Sequence, residues 1–127
     1  MKQVFIIDDS PQIRKRISML LTESSHIRIV GEAGNGHDAL ALVDQIRPDV
    51  VILDIRLPDQ SGVSLLKLFK ARYPEMTVIM LTNFDDVHYR RQCRRLGADF
   101  FLSKTKAFEQ IVDTVLGDPG TQTHRVH

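Results

Sequence analysis

This chain of 127 residues has no tryptophan, a single cysteine and no long apolar run. With only Cys93, no internal disulfide can form, which fits a reducing compartment. No apolar stretch is long enough for a bilayer-spanning helix. The N-terminal MKQVFIIDDSP carries a short apolar run that meets two acids at once, whereas a secretory leader needs a longer run and a small-residue cleavage site. A cytoplasmic location is the expectation. An excess of charge of one sign is missing too. The 17 Lys and Arg nearly cancel the 16 Asp and Glu, so no long-range field marks a general nucleic-acid or membrane binder. The five histidines show no metal-ligand spacing, and His124 and His127 fall in an aperiodic tail.

What is present suits one globular domain: enough length for one core, with 43% hydrophobic and 26% charged residues. Short apolar runs alternate with helical patterns. Strands are expected at Lys2 to Asp8, Ile27 to Ala33, Asp49 to Ile55, Met76 to Thr82 and Asp99 to Ser103. Between them, Ile13, Ile17, Leu20 and Leu21 recur at helical spacing after a Ser10–Pro11 start. Gly34, Asn35 and Gly36 form a turn, then Leu40, Val43 and Ile46 mark a helix ended by Pro48. A loop from Leu57 to Gly62 leads to Leu65, Leu66 and Phe69, and Pro74 stops that helix. Asp85 to Leu96 reads as a helix closed by Gly97 in a left-handed cap. Phe108, Ile111, Val112 and Val115 mark the last helix, and GDPGTQTHRVH is expected to be a disordered tail. Five such βα units predict an α/β fold, a five-stranded parallel sheet flanked by five helices. Right-handed crossovers favour the order 2-1-3-4-5, with a crevice between strands 1 and 3.

In such a sheet the carboxyl ends of the strands share one edge, where ligands bind. Asp8 and Asp9 follow VFII, Asp54 follows VVIL, Thr82 ends VIML and Lys104 closely follows FFL. Three carboxylates, a hydroxyl and an ammonium are the parts that hold a divalent cation and a phosphoryl group. Mg²⁺ takes oxygen ligands and keeps several waters, so one of the adjacent acids can bind directly and the other through water. Without a cation the carboxylates repel, and at least one pKa should rise. Asp54 can act as a nucleophile toward phosphorus, giving an aspartyl phosphate. Lys104 would supply positive charge, and the Thr82 hydroxyl and the Asn83 N–H would donate hydrogen bonds. Each residue alone has a plainer reading: a helix N-cap for Asp9, a satisfied hydroxyl for Thr82, a solvated cation for Lys104. The supply of complementary groups from four separate strand ends favours the joint reading.

Residues 2 to 117 resemble the receiver domain of two-component response regulators, a flavodoxin-like fold shared with single-domain, chemotaxis-regulator-like proteins. The matching segments are IIDDSPQIRKRI, VGEAGNGHDAL, PDVVILDIRLPDQSG, VIMLT and GADFFLSK. The resemblance implies a receiver over residues 1–117, which leaves the aperiodic residues 118–127 as a tail. It implies that Asp54 accepts a phosphoryl group from a histidine kinase or phosphotransfer protein. It implies Mg²⁺ held by Asp9, Asp54 and the backbone carbonyl of Arg56, with Asp8 assisting through water. It implies that Lys104 contacts the phosphoryl group and that Thr82 and Phe101 move together as a switch. The output would be a repacked face of the fourth helix, fifth strand and fifth helix. Three positions depart from the common pattern: Phe101 where Tyr is frequent, Asn83 where a small residue is usual, and Thr105 where Pro is frequent. Arg56, Asn83 and Phe84 near the pocket mouth are expected to tune the lifetime of the phosphorylated state.

On the fourth helix, Tyr89, Cys93 and Leu96 are spaced to face the sheet. Arg90, Arg91, Arg94 and Arg95 are then expected to face outward, toward an acidic downstream partner or a second copy of the chain. Direct nucleic-acid binding by this domain is not expected, because the patch is small and the overall charge balanced. The expectation is a phosphoacceptor switch that catalyses only its own phosphorylation and hydrolysis. The receiver is expected to be the whole protein, and a receiver cut from a longer DNA-binding transcriptional regulator is the alternative. An aspartate-nucleophile phosphatase of the haloacid-dehalogenase type needs an acid two residues past the nucleophile. Arg56 stands there.

Overall fold

The computed structural model describes residues 1–83 and 87–117. The expected Asp85 helix start, Phe84 and the 118–127 tail lie outside the described residues. The elements run β1 (Lys2–Ile7), α1 (Pro11–Leu21), β2 (Ile27–Ala33), α2 (Gly36–Ile46), β3 (Val50–Asp54), α3 (Gly62–Arg72), β4 (Thr77–Thr82), α4 (Val87–Arg95), β5 (Phe100–Ser103) and α5 (Lys104–Leu116). All strand pairings are parallel, in the order β2-β1-β3-β4-β5. The expected architecture is therefore the observed one.

The strands read as continuous apolar runs because the sheet is covered on both faces. Alternation splits each run between two cores. Phe5, Ile7, Val51, Leu53, Val78, Met80 and Phe101 meet α2, α3 and α4 on one side. Val4, Ile6, Ile52, Ile79, Leu81 and Leu102 meet α1 and α5 on the other. Cys93 is fully buried in the first core, with Tyr89 and Leu96 packed against it, as their spacing predicts.

Local chemistry sets the helix ends. The Ser10 hydroxyl accepts from the Ile13 N–H and Pro11 opens α1. The expected turn at residues 34–36 is shorter: Asn35 is already the N-cap, its side chain accepting from the Asp38 N–H, and Gly36 belongs to α2. Likewise Ser61 caps α3 and Gly62 opens it. Gly97 takes φ +97°, the Gly97 N–H donates to the Arg94 carbonyl and the Ala98 N–H to the Cys93 carbonyl. That pair of hydrogen bonds is the Schellman ending of a helix, which favours glycine at this position.

One side-chain expectation fails. Arg90 does not simply point outward with its neighbours. It is half-buried, and its guanidinium carbon lies 4.8 Å from the centroid of the Phe101 ring. Arg90 follows Tyr89, whose ring packs on the first core, so it sits at the boundary of the buried stripe rather than on the solvent face. Its guanidinium covers the aromatic ring. Arg91, Arg94 and Arg95 are exposed.

Candidate functional site

Register brings the polar strand ends to one edge. Ile7 pairs with Leu53, Asp54 with Leu81, and Thr82 with Ser103. Asp8 and Asp9 follow the end of β1 directly. Ser103 gives way to α5 with no intervening loop, so Lys104 is both the first residue of that helix and the residue after β5. A cavity of about 190 Å³ opens there, lined by Asp9, Asp54, Arg56, Thr82, Asn83 and Lys104. Asp8 lies beneath it and is fully buried. Phe101 does not line the cavity. It pairs with Met80, two residues before Thr82, and its ring is buried toward α4.

Lys104 is the centre of the charge arrangement. Its Nζ lies 3.1 Å from Asp54 Oδ2, to which it donates a hydrogen bond, and 2.7 Å from Asp8 Oδ2. The shorter contact is a buried ion pair. The second Asp8 oxygen accepts from the Ser10 N–H at 2.9 Å. Burial would lower the Lys104 pKa, but the Asp8 and Asp54 carboxylates outweigh it and the net shift is upward. The ammonium is therefore held charged. Asp54 is different. Burial, followed by repulsion from Asp8, pushes its pKa up to about 6, against the opposing pull of Lys104 and the Arg56 N–H. The repulsion expected among the acids is thus borne on Asp54, the carboxylate that closes the central strand.

The donor set fits a small divalent cation. Asp8, Asp9 and Asp54 each offer an oxygen, all within 4.8 Å of one another, and three acids face one ammonium. A hard oxygen-seeking ion suits such a cluster.

Some residues that shape the site gave no signal in the sequence. Gly62 packs so closely that a Cβ on it would lie 2.0 Å from the Asp54 carbonyl oxygen. Its N–H donates to the Ile55 carbonyl at 2.6 Å, which folds the loop after β3 back over the strand end. Asp59, at the tip of that loop, accepts from the Gly36 and His37 N–H groups at 2.8 and 2.9 Å, and these bonds hold its pKa down. The loop carrying Arg56 is thereby tied to the start of α2. A serine followed by glycine before an apolar run hints at the α3 cap, but nothing local announces the partner of Asp59. Arg14 on α1 donates to the Asp8 carbonyl and pairs with Glu32, a contact between elements that helical periodicity cannot reveal.

Comparison with known proteins agrees with this geometry. Residues 4–116 match the family model of the response regulator receiver domain. The transcriptional regulatory protein YxjL of Bacillus subtilis is 32% identical over 113 residues, covering 89% of this chain and 52% of that protein. The chain therefore spans about half the length of the curated relatives it matches. The solved signal receiver domain of NarL from Mycobacterium tuberculosis superimposes with a TM-score of 0.85 at 30% identity, covering 91% of this chain and 94% of that one. A LuxR-family DNA-binding response regulator from Staphylococcus aureus gives a TM-score of 0.86 at 26% identity, covering 92% and 98%. A doubly wound sheet with three acids, a threonine and a lysine at its carboxyl edge, matched by the family model over nearly its whole described length, identifies the chain as a member of the response regulator receiver domain family.

Proposed function

We propose that this receiver accepts a phosphoryl group on Asp54 from the phosphohistidine of a histidine kinase or phosphotransfer protein, using Mg²⁺. The observation that carries the reading is the Asp54 carboxylate at the cavity floor, 3.1 Å from the Lys104 ammonium and beside two further acids. Asp9, Asp54 and the Arg56 carbonyl would hold the cation, with Asp8 acting through water, and the bound ion would neutralise carboxylate and phosphoryl oxygens. Phosphoryl transfer asks mainly for positioning and charge neutralisation. An oxygen of Asp54 attacks phosphorus as the bond to the donor imidazole nitrogen breaks, and the imidazole leaves with its electron pair. Lys104 moves its ion pair from the carboxylate to a phosphoryl oxygen, and the Thr82 hydroxyl and Asn83 N–H donate to the others. Hydrolysis reverses the modification when water attacks the same phosphorus and the Asp54 carboxylate leaves. Arg56 and Asn83, which line the cavity, set the access of that water.

Thr82 and Phe101 form the switch. Drawing the Thr82 hydroxyl toward the phosphoryl oxygens changes the packing next to the Phe101 ring. The face of α4, β5 and α5 then shifts between two arrangements, by as much as the phosphorylated site prefers one of them. A downstream protein or a second copy of the chain reads that face. The chain turns over no other substrate, and its place of work is the cytoplasm. A second reading makes it the receiver of a DNA-binding transcriptional regulator. The half-length match to YxjL and the similarity to a LuxR-family DNA-binding regulator favour it.

The test is phosphoryl uptake from a small phosphodonor with Mg²⁺, followed on a phosphate-affinity gel. Wild type should shift, Asp54→Asn should not, and chelation should abolish the shift. An equal shift in the variant, or turnover of unrelated phosphate esters, contradicts the reading.

A further inference from the structure

Arg14 belongs to no step derived so far, yet it touches the acid cluster from behind. Its Nη1 donates to the Asp8 backbone carbonyl at 2.6 Å, the carbonyl of the peptide that links Asp8 to Asp9. Its Nε pairs with Glu32 Oε1 on β2 at 2.8 Å, with the Arg14 side chain only 17% exposed. Gly34 leaves room for the guanidinium, since a Cβ there would lie 3.0 Å from Nη1. One planar fork thus joins α1, the end of β1 and the end of β2. An ammonium on a flexible stem does not offer this fixed pair of bonds.

Asp9 is exposed, and the placement of its Cα and Cβ follows from its backbone. The peptide before it is the one that Arg14 holds. Building on the proposed Mg²⁺ site, we infer that Arg14 is a positioning residue of that site: it fixes the Asp8–Asp9 peptide so that the Asp9 carboxylate is already aimed at the cation. Groups behind the metal ligands typically change metal affinity by about 10- to 100-fold when lost. The sign of the effect distinguishes positioning from charge. Removing a cation beside an anionic cluster should by Coulomb's law tighten Mg²⁺ binding, because the acids lose a competitor. Loss of positioning weakens it.

The test is titration of the full chain with Mg²⁺ alone, without phosphodonor, followed by backbone amide shifts at Asp8, Asp9 and Asp54. Melting temperature is measured in parallel. Arg14→Gln should weaken Mg²⁺ about 10-fold while Asp54 still accepts phosphoryl at saturating Mg²⁺. Arg14→Lys, which keeps the charge but not the fork, should recover only part of the loss. Because Arg14→Lys leaves the charge unchanged, its weaker binding cannot be Coulombic, and it carries the test should Arg14→Gln fail to fold. Tighter binding, or unchanged affinity with a lowered melting temperature alone, overturns the inference. Absence of any Mg²⁺ response in wild type overturns the cation site itself, whereas a normal wild-type response with unaltered variants overturns only the role of Arg14.

Discussion

The guanidinium carbon of Arg90 lies 4.8 Å from the ring centroid of Phe101, so a residue of α4 covers the buried aromatic of β5. The contact ties the proposed switch ring to the helix that carries Arg91, Arg94 and Arg95. Arg90→Ala should lower stability by about 1 kcal/mol, from the lost cation–π contact and the uncovered ring. Arg90→Met, which keeps an apolar cover, should restore part of it. Urea unfolding of these variants with and without Phe101→Leu gives the coupling. If Arg90→Ala costs as much in the Phe101→Leu background as in wild type, the two side chains are not coupled.

Asp54 gives the protein a stability penalty with a defined pH window. Its folded pKa is raised to about 6 from an ordinary value of 3.8, so the native state holds the proton more tightly than the unfolded chain. Below pH 3.8 the penalty is absent, it grows between those two values, and it is complete above about pH 6. Asp54→Asn should therefore stabilise the fold at pH 7, by up to about 3 kcal/mol. The gain should shrink toward nothing near pH 4. Thermal melting of both proteins across pH 4 to 8 checks this, and a gain independent of pH would show that ionisation of Asp54 is not its source. Mg²⁺ should stabilise wild type more than the variant, because it binds the charges whose repulsion it relieves.

Gly62 has no room for a side chain. A Cβ would meet the Asp54 carbonyl carbon at 2.9 Å and its oxygen at 2.0 Å, and both are backbone atoms that cannot swing aside. Gly62→Ala should cost about 3 kcal/mol or more, the upper range for overpacking. Phosphoryl uptake should fall as well, since the strain falls on the strand end that holds Asp54. A denaturant midpoint within error of wild type would contradict the geometry.

Cys93 should be inert in the native state. It is fully buried, and burial pushes its thiol pKa up to about 11. Alkylation by a maleimide should proceed only as the chain unfolds and should track the unfolding curve. Fast labelling under native conditions would mean that α4 detaches from the sheet far more readily than the rest of the core.

The sheet was legible in the sequence because each strand is a separate apolar run bounded by turn chemistry, and because five alternating units leave few topologies. The polar strand ends were legible for the same reason: Asp54 after VVIL and Thr82 after VIML are conspicuous where an apolar run stops. Contacts between elements were not. Arg14 reaching the Asp8 carbonyl, Asp59 capping α2 and Gly62 under the Asp54 carbonyl depend on distances that no single segment encodes. Arg90 shows the limit of periodicity. Helical spacing assigns a face, but a long side chain at its edge can fold back over a ring on the next strand.

The central claim is that Asp54 carries the phosphoryl group. Borohydride reduction of the phosphorylated protein converts an aspartyl phosphate to homoserine, which peptide mass spectrometry locates. Homoserine at position 54 alone, lost when Mg²⁺ is chelated, is the predicted result. Modification at Asp8 or Asp9 instead, or none despite Mg²⁺ and an active donor, would contradict the account.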